Sequence, residues 1–174
     1  MKIKSQIITT LSAILLATSL NATADTSPPF KLKQLAELKQ TESDRFPGDP
    51  AEHKAVYMWN KSDPAYQHSI LNSIQAMIKR YGDNVEIAVV AIGPGLHVLA
   101  KEPQRKVDAL TYERVASFSK DYNVRWVACG NTMNSLHWKD KDMRPFAEYA
   151  EAGSAALRRH LMELQEEGYK QLVW

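Results

Sequence analysis

Val85-Glu86-Ile87-Ala88-Val89-Val90-Ala91-Ile92-Gly93-Pro94-Gly95 is the stretch on which the fold of this chain turns. Val85, Ile87, Val89, Val90 and Ile92 are β-branched, side chains that pack well on a pleated surface, and the run stops abruptly at Gly93-Pro94-Gly95. It reads as a strand with a tight turn at its carboxyl end. Upstream, Ala55-Val56-Tyr57-Met58-Trp59 is a short, nearly continuous apolar run that ends at Asn60. An apolar run with no polar alternation suits a strand covered on both faces, and hence a parallel sheet.

Between these two runs, Asp63-Pro64 supplies a capping carboxylate and a proline at the first helical position. Ile70, Leu71, Ile74, Met77, Ile78 and Tyr81 then form one apolar stripe, with Gly82 as a left-handed cap. Beyond Gly95, residues 96–100 continue as a short helix and 101–106 form a charged surface connection. Residues 110–122 read as a second long helix, with Val115 and Phe118 among its apolar contacts, leading into a buried strand at 124–128. A short helix is expected over 131–136 and a polar, charged loop over 137–144. A last helix from about Ser154 carries Leu157, Leu161 and Leu164 on one face and ends at Gly168, and a last strand follows over 169–173. The order β-α-β-α-β-α-β predicts an α/β protein, a three-layer α/β/α sandwich with a mostly parallel central sheet.

The first 24 residues have another character. Lys2 and Lys4 precede an apolar stretch over 7–17, followed by the small-residue site Ala22-Thr23-Ala24, the pattern of a cleaved secretory signal peptide. The expected organisation is a signal peptide over 1–24, an N-terminal arm over 25–50 and one domain over 51–174, exported to the periplasm. The arm places Leu32, Leu35 and Leu38 at helical spacing before the breaker cluster Phe46-Pro47-Gly48-Asp49-Pro50. No second long apolar run occurs, so no membrane span is expected. The formal charge of +2 comes from 22 basic and 20 acidic residues, and loss of Lys2 and Lys4 with the leader leaves 20 of each. Electrostatics therefore gives no reason to expect nucleic acid or an anionic membrane as partner.

Cys129 is the only cysteine. In an exported chain a lone thiol cannot close an intramolecular disulfide, so it is either a packed small hydrophobe or a reactive group. It stands where the strand at 124–128 runs into Gly130-Asn131-Thr132, a turn and helix start. A thiol at the first turn of a helix faces unpaired backbone N–H groups, a setting that favours thiolate chemistry. Gly130 is expected to leave it open, and the side chains of Asn131 and Thr132 can donate to a sulfur anion.

In open parallel sheets, ligands bind beyond the carboxyl ends of the strands, where connections part to opposite faces. Asn60, Gly93-Pro94-Gly95 and Cys129-Gly130-Asn131-Thr132 all fall at such ends and converge if their strands are neighbours. The glycines would let backbone approach a bound group, whereas the plainer reading is that these are tight turns. His97 and His137 follow the two loops and could exchange protons near Cys129, or be ordinary histidines. The five histidines show no metal-ligand spacing, and no dinucleotide or phosphate-loop fingerprint occurs, so no metal or cofactor is expected. Trp59, Trp126, Trp138 and Trp174 suit core and interface positions.

The apolar run ending in Asn60, then Val89-Val90-Ala91-Ile92-Gly93-Pro94-Gly95-Leu96, Val127-Ala128-Cys129-Gly130-Asn131-Thr132, Gly153 and Leu164-Gln165-Glu166-Glu167-Gly168-Tyr169, resembles the exported branch of the DsrE/DsrF-like proteins. The resemblance spans about residues 54–174, and its most specific element is the Gly-Pro-Gly-Leu and Ala-Cys-Gly-Asn-Thr pair. It implies an α/β/α sandwich that assembles as a trimer or hexamer and relays sulfur as a cysteine persulfide. The family's key cysteine maps onto Cys129; the strand-end residues Asn60, Gly93, Pro94, Gly95, Gly130, Asn131 and Thr132 are the substrate-binding set expected around it. The implied partners are a sulfur donor or acceptor protein or a small sulfur compound. A non-catalytic module that binds a small anion or a partner, with Cys129 merely packed, is the alternative, and a redox role through a sulfenic acid or mixed disulfide is a third.

Overall fold

The structure, a computed structural model, describes residues 45–46, 48–153 and 156–172. The expected signal peptide, most of the arm, Pro47, Ser154, Val173 and Trp174 lie outside the described residues.

Five parallel strands form one sheet: β1 (His53–Trp59), β2 (Val85–Ala91), β3 (Arg125–Cys129), β4 (Ala147–Ala150) and β5 (Lys170–Leu172), in the order β4-β3-β2-β1-β5. At the carboxyl ends the register pairs Trp59 with Ala91, Ala91 with Ala128, and Cys129 with Ala150. The three strands that carry the expected site are therefore adjacent.

Helix α1 (Pro64–Tyr81) begins as its sequence requires, with the Asp63 carboxylate accepting the Tyr66 N–H over 2.9 Å and Pro64 at the first position. It ends at Gly82, whose φ of 60° is positive but whose ψ of −124° is far from the left-handed helical well. Gly82 thus breaks the helix without forming the expected left-handed cap. Helix α2 (Ala109–Tyr122) is capped by Asp108, which accepts the Thr111 N–H over 2.9 Å and the Thr111 hydroxyl over 2.7 Å. Its end is the left-handed Asn123.

Helices α1 and α2 cover one face of the sheet. Ile70, Leu71, Ile74, Val115 and Phe118 join Tyr57, Trp59, Val89, Trp126 and Ala128 in a single buried cluster. The short helix α3 (Gly130–Ser135) sends Met133 into the same cluster. On the other face α4 (Ala156–Glu166) sets Leu157, Leu161 and Leu164 against Val56, Ala88, Val90 and Val127. Period-2 alternation along the strands supplies both faces, which is why the strands read as continuous apolar runs. The chain is a three-layer α/β/α sandwich around a parallel sheet.

Three further expectations need correction. Strand β4 was not foreseen, so the sheet has five strands rather than four. The expected helix over 96–100 is a 3-10 helix over Gly93–Leu99, and Gly93-Pro94 belongs to it. The expected polar loop over 137–144 holds a 3-10 turn at Asp140–Asp142 and buries Trp138, Met143 and Arg144. The Arg144 guanidinium is accepted there because Nη1 donates to the carbonyls of Tyr112 (2.9 Å) and Val98 (3.3 Å) and the group lies 3.8 Å from the Tyr112 ring centre. Among the described residues, no helix is long and apolar enough to cross a membrane.

Candidate functional site

The connections leaving β3 and β4 part to opposite faces: α3 packs with α1 and α2, whereas the chain after β4 crosses to α4. This divergence is the position at which parallel α/β sheets open a crevice. Two features join its sides. Gly130 meets the passing chain so closely that a Cβ would lie 2.6 Å from the Ala150 carbonyl oxygen and 2.8 Å from the Ala152 nitrogen. The Asn131 amide exchanges two bonds with Gly153, Nδ2 donating to its carbonyl and Oδ1 accepting its N–H, both over 2.6 Å.

Cys129 is the last residue of β3 and the N-cap of α3, in extended conformation, and its side chain makes no capping bond. It is only 4% exposed. Strand alternation places it on the α4 face with Val127, opposite Trp126 and Ala128. Gly130 does not open a path to the thiol, as expected from sequence, because the backbone of 150–152 fills the space its side chain would take. Nor are the two neighbouring polar side chains free. Asn131 is held by Gly153, and Thr132 Oγ1 accepts the Gly93 N–H over 2.9 Å, tying the end of β2 to α3.

The other expected residues also serve the protein's own chain. Gly93 has a φ of +49°, and nothing lies within 4 Å of where its Cβ would be, so its need is conformational. Gly95 is a steric case, its would-be Cβ lying 2.1 Å from the Trp59 carbonyl oxygen. The Asn60 side chain accepts from the Tyr66 hydroxyl over 3.0 Å, a proton shared with the Met58 carbonyl at 2.8 Å.

A cleft of about 350 Å³ lies between the 3-10 helix and α3. Gly93, Pro94, Asn131 and Thr132 line it, whereas Asn60, Gly95, Gly130 and Cys129 do not. It also takes in His97, Arg105, Ser135 and Leu136. His97 is buried, with its ring 5.0 Å from that of Trp138 and nearly perpendicular to it. Its Nδ1 accepts the Arg105 backbone N–H over 3.3 Å. Burial first, then the Arg105 charge, pushes its pKa below the usual histidine value, so the ring is neutral. His137 is exposed in a left-handed conformation and does not line the cleft. Arg105 carried no signal in sequence, since it sits in an irregular charged connection whose path only the fold reveals.

A larger cavity, about 530 Å³, lies between the end of α1 and the end of α2, lined by Gly82, Asp83, Val85 and Asn123. It borders the amino ends of the strands, the end away from the divergence. Among the described residues, no group of three His, Cys, Asp or Glu side chains comes together as a ligand set for a metal ion.

No family model matches the sequence. No curated protein matches it either. Among solved structures, the chain is similar to a protein of unknown function, MTH1491 from Methanobacterium thermoautotrophicum, at 19% identity and a TM-score of 0.57. The match covers 70% of this chain and 98% of that one. At that identity the likeness shows the fold alone.

Proposed function

We propose that this chain is an exported sulfur-handling protein of the DsrE/DsrF-like kind, in which Cys129 carries sulfur as a persulfide. The observation that supports the reading is the place of the thiol. Cys129 ends a central strand next to the point where the chain parts to opposite faces, the region where this architecture binds its ligands. The segment beside it, 151–153, lies beyond the sheet pairing and is tied down by the Asn131 side chain and by a 3.8 Å ion pair between Glu151 and Arg159.

The chemistry balances without an external oxidant. The Cys129 thiolate attacks the outer sulfur of a donor persulfide or polysulfide; a new S–S bond forms as the donor's S–S bond breaks, and the donor thiolate leaves with the electron pair and takes up a proton. Return to the thiol follows when an acceptor thiolate attacks that outer sulfur in turn. Intact-mass measurement after incubation with polysulfide should find one added sulfur on the wild type and none on Cys129→Ser. Equal labelling of both, or none on either, sinks the reading. Export to the periplasm and assembly as a trimer or hexamer belong to the same proposal, and are checked by the N-terminal sequence of the mature protein and by its mass in solution.

One observation favours a second reading, a binding module with a packed cysteine. Cys129 is 4% exposed and does not line the cleft. On this reading Cys129 reacts with iodoacetamide only on denaturation, and Cys129→Ala leaves ligand binding intact.

A further inference from the structure

The cleft between the Gly93–Leu99 3-10 helix and α3 has an unusual balance of groups. No carboxylate lines it. Besides the Ser135 hydroxyl and the Asn131 amide, which donate to carbonyls of the chain, three donors border it. Because His97 Nδ1 accepts the Arg105 N–H, a neutral ring must carry its proton on Nε2, and no described residue accepts that proton. His97 as a whole is only 2% exposed, and it lines the cleft. Thr132 Oγ1 is used as an acceptor by Gly93, which leaves its hydroxyl proton without an acceptor among the described residues. The Arg105 guanidinium makes no ion pair or hydrogen bond with any described residue, although its backbone is fixed by His97. Pro94 and Leu136 supply apolar wall. A volume of about 350 Å³ suits a small organic molecule better than a bare inorganic ion.

We propose that this cleft binds a small organic anion, its acid group held by His97 Nε2, the Thr132 hydroxyl and the Arg105 guanidinium, and its apolar part resting on Pro94 and Leu136. An acid group would take all three donors at once, each through a charge-assisted bond, in place of separate waters. The site stands apart from persulfide chemistry, since Cys129 does not line it.

The test is an NMR titration of the protein with benzoate, benzenesulfonate and phenyl phosphate, against neutral benzamide and inorganic sulfate. At least one of the organic acids should give saturable shifts at the Gly93, Arg105 and Thr132 amides, with benzamide about tenfold weaker or more. Arg105→Ala removes an exposed side chain without structural bonds and should weaken the acid about tenfold, with partial rescue in Arg105→Lys. Cys129→Ser should bind as the wild type does, so failure here is distinct from failure to load sulfur on Cys129. No saturable shift with any acid, equal affinity for benzamide, or unchanged binding in Arg105→Ala overturns the proposal. So does inorganic sulfate binding as tightly as the organic acids, or loss of acid binding in Cys129→Ser.

Discussion

Gly95 lies so close to Trp59 that a Cβ on it would stand 2.1 Å from the Trp59 carbonyl oxygen and 2.6 Å from the carbonyl carbon. That carbonyl also accepts the Ile92 N–H over 2.9 Å, and Ile92 in turn accepts the Gly95 N–H over 2.9 Å. The end of β1 is thus the seat of the 3-10 helix, and with it of one wall of the cleft.

Gly95→Ala is expected to destabilise the protein by about 3 kcal/mol, because the methyl group meets backbone rather than a mobile side chain. Gly93→Ala has open space around its Cβ and carries only the left-handed conformational cost, about 1–2 kcal/mol. Urea unfolding of both variants checks the order, and a larger loss for Gly93→Ala would contradict this account.

Asp108 caps α2 through both the backbone N–H and the hydroxyl of Thr111, and His68 lies 3.3 Å from its carboxylate. Burial alone would raise its pKa, but the two Thr111 bonds and His68 outweigh that and hold it below the usual carboxylate value. Its contribution is present above the unfolded carboxylate range and is lost as pH falls through the lower folded value. Asp108→Ala should cost about 1–2 kcal/mol at neutral pH. The difference from wild type, read from urea midpoints, should shrink in acid.

His97 gives a second pH dependence, nearer neutrality. Its folded pKa lies below that of an unfolded histidine, so in the interval between the two the unfolded chain binds more protons and stability rises with pH. The contribution is present above about pH 6.5 and is lost as pH falls toward the folded value. Arg105 is the charged group that acts on it. His97→Gln, which keeps an acceptor for the Arg105 N–H, should show a flatter midpoint between pH 7.5 and 5 than the wild type. An unchanged slope would show that His97 is not the source.

Asn131→Ala removes both bonds to Gly153 and leaves two backbone groups to solvent, so the global cost should be modest, about 1 kcal/mol. Native-state alkylation of Cys129 should nevertheless speed up several-fold by a mass assay, because local opening is easier than global unfolding. Equal rates in the two proteins would dissociate the 151–153 segment from access to the thiol.

Much of the sandwich was legible because buried parallel strands leave a strong mark: Val56 to Trp59 and Ile87 to Ala91 carry no charge, and the α1 stripe repeats at helical spacing. Strand β4 was not, since Ala147-Glu148-Tyr149-Ala150 is four residues at a sheet edge, with Glu148 and Tyr149 exposed and no β-branched residue. Arg144 was read as a loop charge because its stacking on Tyr112 is a long-range contact with no local trace. Two of the strand-end glycines have backbone of the chain itself as their close neighbour. Gly95 and Gly130 admit Trp59 and Ala150, and a sequence says that backbone must come close without saying whose. His97 and Arg105 meet only because the 3-10 helix turns the chain back on itself over eight residues.

If opening of the Asn131–Gly153 bonds is what admits reagents to Cys129, thiol reactivity becomes a question of kinetics rather than of static exposure. Where a nearly covered group reacts only from a transiently opened form, the rate at high reagent concentration becomes the frequency of opening itself. A small iodoacetamide and a bulky maleimide should then approach one common ceiling at Cys129, and a partner that grips the 151–153 segment would act as a throttle on the sulfur atom without touching it.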